Sequence, residues 1–317
     1  MDTAAHVSEI AMIGFTVSDM ERAVDFYERV LGFKKVAETQ VTGEAYDTLS
    51  GVLASKMRIV HLRLGEQTVE LTEHLSQKGR PIPVPWRANN HWFQHVAIVV
   101  SDMEKAYEQL CRHRVGQISI EPQTIPESNV AAAGIKAVKF CDPDNHALEL
   151  LWFPADKGNE HWRRPTDRLF LGIDHTAITV SDTEQSLRFY RDLLGLTVVG
   201  GTVNTGITQE RLDGVSNPRV RITALVPEKS PPSIEFLHYE YPPDGRPFPL
   251  DTNAADLWHW QTSLVVEDVP AAATALRAAG VRFVSPDVVT MPNAQLGFSR
   301  AIMVRDPDAH AMRLVQR

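Results

Sequence analysis

Two histidines, His95 and His175, stand at the same place in a phrase that the chain uses four times. The phrase reads LGIDHTAITVSD at residues 171–182, FQHVAIVVSD at 93–102, IAMIGFTVSD at 10–19 and, more loosely, WQTSLVVED at 260–268. Aligned on the Val-Ser-Asp end, the copies place Met12, His95, His175 and Gln261 in one slot. An imidazole is a good ligand for a divalent transition metal, an amide a weak one, and a thioether a poor one for a hard or borderline ion. Metal chemistry is therefore expected from the second and third copies, and not from the first and fourth.

The elements that must position these side chains follow from periodicity. In the third copy Ile173, His175, Ala177 and Thr179 alternate with Asp174, Thr176, Ile178 and Val180, the period of a strand. Ser181-Asp182-Thr183-Glu184 then reads as a capping box that starts a helix, as do Ser18 with Glu21 and Ser101 with Glu104. Each copy opens a unit of one strand, one helix and three further strands. Unit 1 has strands at 10–17, 34–38, 57–64 and 68–72, its helix stopping at Gly32. Units 2, 3 and 4 begin near Trp92, Leu171 and Trp258, and units 2 and 4 share an Asp-Pro-Asp turn before the last strand. GRPIP at 79–83 returns as GRPFP at 245–249, a shift of 166 residues, the same shift that carries His95 to Gln261. Two duplicated halves are expected, residues 1–153 (units 1 and 2) and 171–317 (units 3 and 4). The polar stretch 154–170 links them.

Composition narrows the class. The 317 residues carry 32 basic and 40 acidic side chains, a formal charge of −8, which argues against nucleic acid or an anionic membrane as partner. No apolar run approaches the ~18 residues of a membrane span, and MDTAAHVSEI lacks the pattern of an export signal. Cys111 and Cys141 have no metal-like spacing, which suits a reducing, cytoplasmic setting.

Four βαβββ units, each opening on I-x-H-x-x-(I/F)-x-V-S-D or a relic of it, with FY-x-x-x-LG(F/L) on the helix and x-E-(L/F) in the last strand, resemble the vicinal oxygen chelate superfamily. That group holds glyoxalase I, extradiol dioxygenases and bleomycin resistance proteins. The resemblance implies an α+β fold of two glyoxalase/dioxygenase-like domains, with units paired into eight-stranded cups. It also implies that metal is held by the first-strand slot and a last-strand Glu of each unit. The last-strand residues here are Glu70, Glu149, Glu235 and Arg313. If unit 2 pairs with unit 3, one cup holds His95, Glu149, His175 and Glu235 as ligands. The other holds Met12, Glu70, Gln261 and Arg313, where no metal is expected and Arg313 should pair with Glu70. Fused two-domain glyoxalases resemble this arrangement. A carboxylate amid ALELLWF is costly to bury without a partner, which favours the same role for Glu149 and, less strongly, for Glu235.

Two imidazoles and two carboxylates suit Zn, Ni, Co, Fe or Mn acting as a Lewis acid on a substrate with neighbouring oxygens. Glu149 and Glu235 are the candidate bases. The implied activity is a glyoxalase-I-like lyase or isomerase acting on a small molecule. A ring-cleaving Fe(II) dioxygenase is the alternative, and a non-catalytic drug-binding protein the alternative of another class. A second copy of the chain is the one protein partner left open.

The remaining candidates read as structural. His146 and His310 brace the Asp-Pro-Asp turns, and His259 lines the second cup. His91 sits at the rim near His95, and His238 faces away from Glu235. Phe26/Tyr27 and Phe189/Tyr190 pack helix on sheet, and Arg163, Arg164 and Arg168 are solvated. Segments 124–133 and 201–217 are placed over the cup, offering Asn129, Asn204 and Gln209 as polar contacts.

Overall fold

The computed structural model describes residues 5–317; Met1–Ala4, the start of the stretch read for an export signal, lie outside the described residues. Unit 1 comprises β1 (Val7–Thr16), α1 (Met20–Leu31), β2 (Lys34–Thr42), α2 (Glu44–Ser50), β3 (Lys56–Leu64) and β4 (Gln67–His74). Unit 2 comprises β5 (Gln94–Val100), α3 (Met103–Arg112), β6 (Gly116–Gln117), β7 (Gln123–Thr124), β8 (Lys136–Cys141) and β9 (Ala147–Trp152). Unit 3 runs β10 (Phe170–Thr179), α4 (Thr183–Leu187, continued by a π-helical turn over Arg188–Leu193), β11 (Thr197–Thr205), α5 (Gly206–Asp213), β12 (Arg219–Val226) and β13 (Ser233–Tyr241). Unit 4 runs β14 (Trp260–Val266), α6 (Val269–Ala278), β15 (Arg282–Phe283), β16 (Val289–Thr290), β17 (Arg300–Arg305) and β18 (Ala311–Gln316).

Each of the two large sheets takes one unit from each half of the chain. One has the order β11-β12-β13-β10-β5-β9-β8-β6, and the other β15-β17-β18-β14-β1-β4-β3-β2. Units 2 and 3 therefore share a sheet, joined by the antiparallel seam β5–β10, while units 1 and 4 join at β1–β14. The expected eight-stranded cup becomes nine-stranded and open. In units 2 and 4 the first strand after the helix is broken into two short pieces, and both pieces pair with the next strand.

Alternation in the strands separates the two faces. Val96, Ile98 and Val100 join Ile173, Ile178 and the helix residues Met103, Ala106 and Tyr190 in one continuous core under both sheets. His95 and Ala97, out of phase with them, face the cup. The helix starts differ from the expected capping boxes. The cap is the aspartate one residue later: Asp19, Asp102, Asp182 and Asp268 accept from the backbone N–H of Arg22, Lys105, Gln185 and Ala271. A carboxylate there also complements the helix dipole. The serines are used elsewhere: Ser18 Oγ donates to Asp144 and Ser101 Oγ to the Arg168 carbonyl.

The Asp-Pro-Asp turns tie the sheets together. His146 sits on its own turn through Asp142 and reaches the Leu257 carbonyl at 2.7 Å, and His310 reaches the Thr179 carbonyl at 2.9 Å. Tyr27 and Tyr190, both buried, donate across to Asp142 and Asp306. The Phe-Tyr pairs thus serve the join between sheets as well as the packing of helix on sheet.

Candidate metal centre

The cup of units 2 and 3 gathers His95, Glu149, His175 and Glu235 around one cavity of about 150 Å³. The two imidazole rings are 5.6 Å apart, facing each other across the β5–β10 seam. Among the described residues, one ligand atom each of His95, Glu149 and His175 fall within 4.8 Å of one another. Glu235 joins from the third unit, its Oε2 lying 3.5 Å from His175 Nε2. The compact group is therefore two His and one Glu, with the second Glu at its edge.

His95 carries the test of fit. It is 1% exposed, and neither ring nitrogen makes a well-aligned hydrogen bond. Its Nε2 is 3.2 Å from Glu149 Oε2. Burial lowers its pKa to about 4, so the ring is neutral with a lone pair to offer. A buried imidazole left without a hydrogen bond costs stability, and a metal ion at Nε2 is the partner that chemistry would supply. The donor set therefore fits a divalent ion.

His175 is held differently. Its Nδ1 lies 3.0 Å from Asp174 Oδ2. A carboxylate has no hydrogen to give, so Nδ1 carries it and Nε2 faces the cavity, as a metal-ligating histidine requires. Asp174, which accepts from Trp162 Nε1 at 2.7 Å, was not foreseen, because neighbours on a strand point to opposite faces. Here the seam slips register between Ile173 and His175, so Asp174 sits at an irregularity and reaches its neighbour's ring. Burial opposes charge on His175, but Glu235, Asp174 and Glu149 outweigh it and push its pKa up to about 9.

Lys139 is the second unforeseen member. It stands opposite Glu149 in the β8–β9 pairing, 2% exposed, with Nζ 2.5 Å from Asp213 and 3.8 Å from Glu149. Burial raises the Glu149 pKa, yet Lys139 and the histidines win and bring it down to about 2. The signal was present: a lysine between Val138 and Phe140 is as anomalous as a glutamate in ALELLWF. Glu235 has no lysine in contact, and burial outweighs the pull of His175 and raises its pKa.

Segments 124–133 and 201–217 do reach over this cup. Asn129 Nδ2 donates to Asn204 Oδ1, Asn204 Nδ2 to Gln209 Oε1, and Gln209 Nε2 to Asp213 Oδ2. His91 is a correction: it lies outside this cavity, its Nδ1 3.7 Å from Asp308 at a turn of unit 4. His238 faces Thr183 on the helix side, away from the cup.

In the other sheet Arg313 Nη1 is 2.9 Å from Glu70 Oε1, and Gln261 Nε2 donates to the same oxygen at 2.8 Å. His61 Nε2 stands 3.1 Å from Oε2, a partner the sequence did not suggest. Burial alone would raise the Glu70 pKa, but Arg313 and His61 hold it far below the usual carboxylate range. His259 lines the remaining space, which is only about 30 Å³.

Comparison with known proteins agrees with this architecture. The family model described as "Glyoxalase/Bleomycin resistance protein/Dioxygenase superfamily" matches residues 9–150 and 172–314. A 2-epi-5-epi-valiolone epimerase of Actinomyces sp is 33% identical over 150 residues, 45% of this chain and 78% of that protein. An Arabidopsis thaliana lactoylglutathione lyase is 25% identical over 57% of this chain, a match spanning 53% of that enzyme's length. Among solved structures, a glyoxalase I variant from Zea mays overlays with a TM-score of 0.65 at 17% identity, covering 97% of this chain and 92% of its own. A Bacillus subtilis protein titled a putative dioxygenase gives 0.59 at 15% identity, covering 98% and 86%. At such identities the overlays speak for the fold alone. No helix among the described residues is long and apolar enough to cross a membrane.

Proposed function

The chain belongs to the glyoxalase/bleomycin resistance protein/dioxygenase superfamily, and from that premise we propose a metal-dependent enzyme that moves a proton beside a carbonyl of a small substrate with neighbouring oxygens. The observation that carries this reading is the buried His95 ring, which makes no well-aligned hydrogen bond and lies with Glu149, His175 and Glu235 around one cavity. His95, His175 and Glu149 would hold a divalent ion, and Glu235 would complete the set. Once bound, the ion would act as a Lewis acid on the substrate oxygens.

The side chains divide the remaining work. Asp174 fixes the His175 ring, and Lys139 fixes Glu149 as an ionised ligand. Glu235, partly open to the cavity and free of any lysine or arginine, is the group able to take a proton at Oε2 from the substrate carbon and return it. Apolar neighbours such as Leu151, Leu212 and Ile222 limit water around that exchange. Return to the same carbon and face restores the substrate and return to the adjacent carbon isomerises it, whereas epimerisation takes the proton from a second donor on the opposite face. An epimerase and a lyase among the relatives are compatible with this family of outcomes.

The test is metal analysis of the purified chain, followed by solvent-deuterium incorporation into methylglyoxal–thiol adducts and hydroxyketones. Absence of bound divalent metal after reconstitution would refute the reading. The compact His95–Glu149–His175 trio also supports a second reading, a ring-cleaving dioxygenase with positions left for catechol and oxygen. Oxygen uptake by the anaerobically prepared, Fe(II)-loaded protein on catechols distinguishes it.

A further inference from the structure

The approach to the metal centre has a chemical character of its own. Beside the first cavity, and sharing the wall residues Ile125, Thr202, Asn204 and Gln209 with it, lies a wider pocket of about 490 Å³, which we take as its mouth. Its polar lining is hydroxyl and amide: Ser128, Asn129, Thr202, Asn204, Thr205 and Thr208. Among the described residues no lysine, arginine, aspartate or glutamate lines it. Lys157, which donates to the Val130 carbonyl behind this wall, also lies 3.8 Å from Asp156.

The amide ladder within the mouth has a fixed direction. Asp213 can only accept, so Gln209 must turn its NH2 toward it, which leaves Gln209 Oε1 to accept from Asn204, and Asn204 Oδ1 to accept from Asn129. Each NH2 group spends one hydrogen on the ladder and keeps one, and Thr202 Oγ1 closes the outer end on Asn129 Oδ1. The result is a row of neutral amides, of which Asn204 and Gln209 line the inner cavity together with the apolar Ile135, Leu151, Phe153 and Ile222.

Deeper in, the charge is one-sided. Asp174, Glu149 and Glu235 line the inner cavity, with Lys139 the only lysine or arginine there among the described residues, and that ammonium is already held by Asp213. A divalent ion would offset the carboxylates at the centre and leave nothing to pair with a further anion on the way in. A carboxylate brought into such a mouth loses its water without gaining a partner.

We propose that the substrate is an uncharged small molecule with hydroxyl groups along one edge and a C–H face on the other, and that carriers bearing carboxylate arms are rejected. This rests on the reading of the cup as a metal-dependent site, and it specifies what that site takes. The experiment uses the full chain loaded with a divalent ion and three probes. These are the hemithioacetal of methylglyoxal with 2-mercaptoethanol, the same hemithioacetal with glutathione, and a pentahydroxycyclohexanone. Affinity is read by calorimetry, and proton exchange by solvent deuterium entering the carbon beside the carbonyl.

The two uncharged probes should bind and exchange, and the glutathione adduct should bind about tenfold or more weakly than its mercaptoethanol counterpart. Thr208→Lys, a partly exposed substitution at the mouth, should recover up to about fivefold for the glutathione adduct, the worth of one new exposed charge pair. Asn204→Leu should weaken the hydroxyketone with metal content unchanged. Equal affinity of the wild type for both adducts overturns the substrate class, as does failure of the loaded protein to bind any probe. A chain that takes up no divalent ion sinks the site reading beneath it, a result visible in metal analysis before a probe is added.

Discussion

The two sheets can be laid over one another pair by pair, and they part company only where chemistry is at stake. His175 lies opposite Ala97 in one seam, and Met12 opposite Ser263 in the other. Glu149 pairs in register with Lys139, and Arg313 with Met303. Even supporting bonds recur: Ser119 Oγ donates to the Leu212 carbonyl, and Ser285 Oγ to the Leu49 carbonyl. Against that common frame, one cup is lined by Ala97, Ala137 and Leu212 and keeps its cavity. The other is filled by Tyr46, Met57, Leu296 and Phe298, with the Arg313 guanidinium 5.0 Å over the Phe298 ring. Where the loop before β8 carries three alanines at 131–133, the shorter loop before β17 carries Leu296 and Phe298, both buried. A carboxylate that faces histidines in one cup is neutralised by an arginine in the other, and the space follows the charge.

The largest effect that would break this contrast comes from the histidines. His95→Ala and His175→Ala should each abolish metal binding and nearly all turnover with the fold retained, measured as metal per chain, deuterium exchange and circular dichroism. Full metal and activity in either variant would mean the wrong cup has been chosen. Glu235→Gln should keep metal while exchange falls about 10²–10⁴-fold, the usual loss for a general base. Loss of metal before turnover would make Glu235 a ligand first and move the base elsewhere.

In the other sheet the stakes are stability. Arg313→Ala strands Glu70 without its cation and should cost about 3–5 kcal/mol in chemical denaturation, with metal content unaffected. A smaller effect should appear with acid. The folded pKa of Glu70 is depressed below its ordinary 4.5, so its stabilising share is fully present above that value and is lost as pH falls through it toward the folded pKa. Glu70→Gln should flatten that part of the stability–pH curve below pH 4.5, and an unchanged slope would mean another carboxylate carries it. Smallest of all, Met12→Leu is a near-isosteric change in a filled cup and should cost less than about 1.5 kcal/mol. Any fall in turnover would show that the filled cup serves the reaction.

Much of this contrast was legible in the sequence because repeats turn position into comparison. One slot holding Met, His, His and Gln separates the units, and the phase of each strand shows which face the slot occupies. The pairing of Arg313 with Glu70 followed from the same alignment. Asp174 escaped because a register slip overrides strand alternation, and no pattern in LGIDHT announces one. Lys139 and Asp213 belong to different units and meet only when the sheet closes, so neither alone identifies the other. His91 was misplaced because it precedes β5, in a turn where the strand period has no authority. The broken strands of units 2 and 4 are two residues long, too short for any period to register.

The β5–β10 seam has a consequence for how the protein comes to be competent at all. Its two histidines are contributed from opposite strands, each set across from an alanine two positions away from the other pair. A slip of one residue would turn one histidine into the helical core and leave the other facing the cup. Register at the centre of the sheet and geometry of the candidate ligand set are thus a single coordinate, pinned from both sides by β9 and β13. A refolding chain should therefore gain tight metal binding in step with the join between segments about 80 residues apart, and no sooner. The ion would act as an inspector of assembly: only chains that have paired β5 with β10 in the right register would carry it.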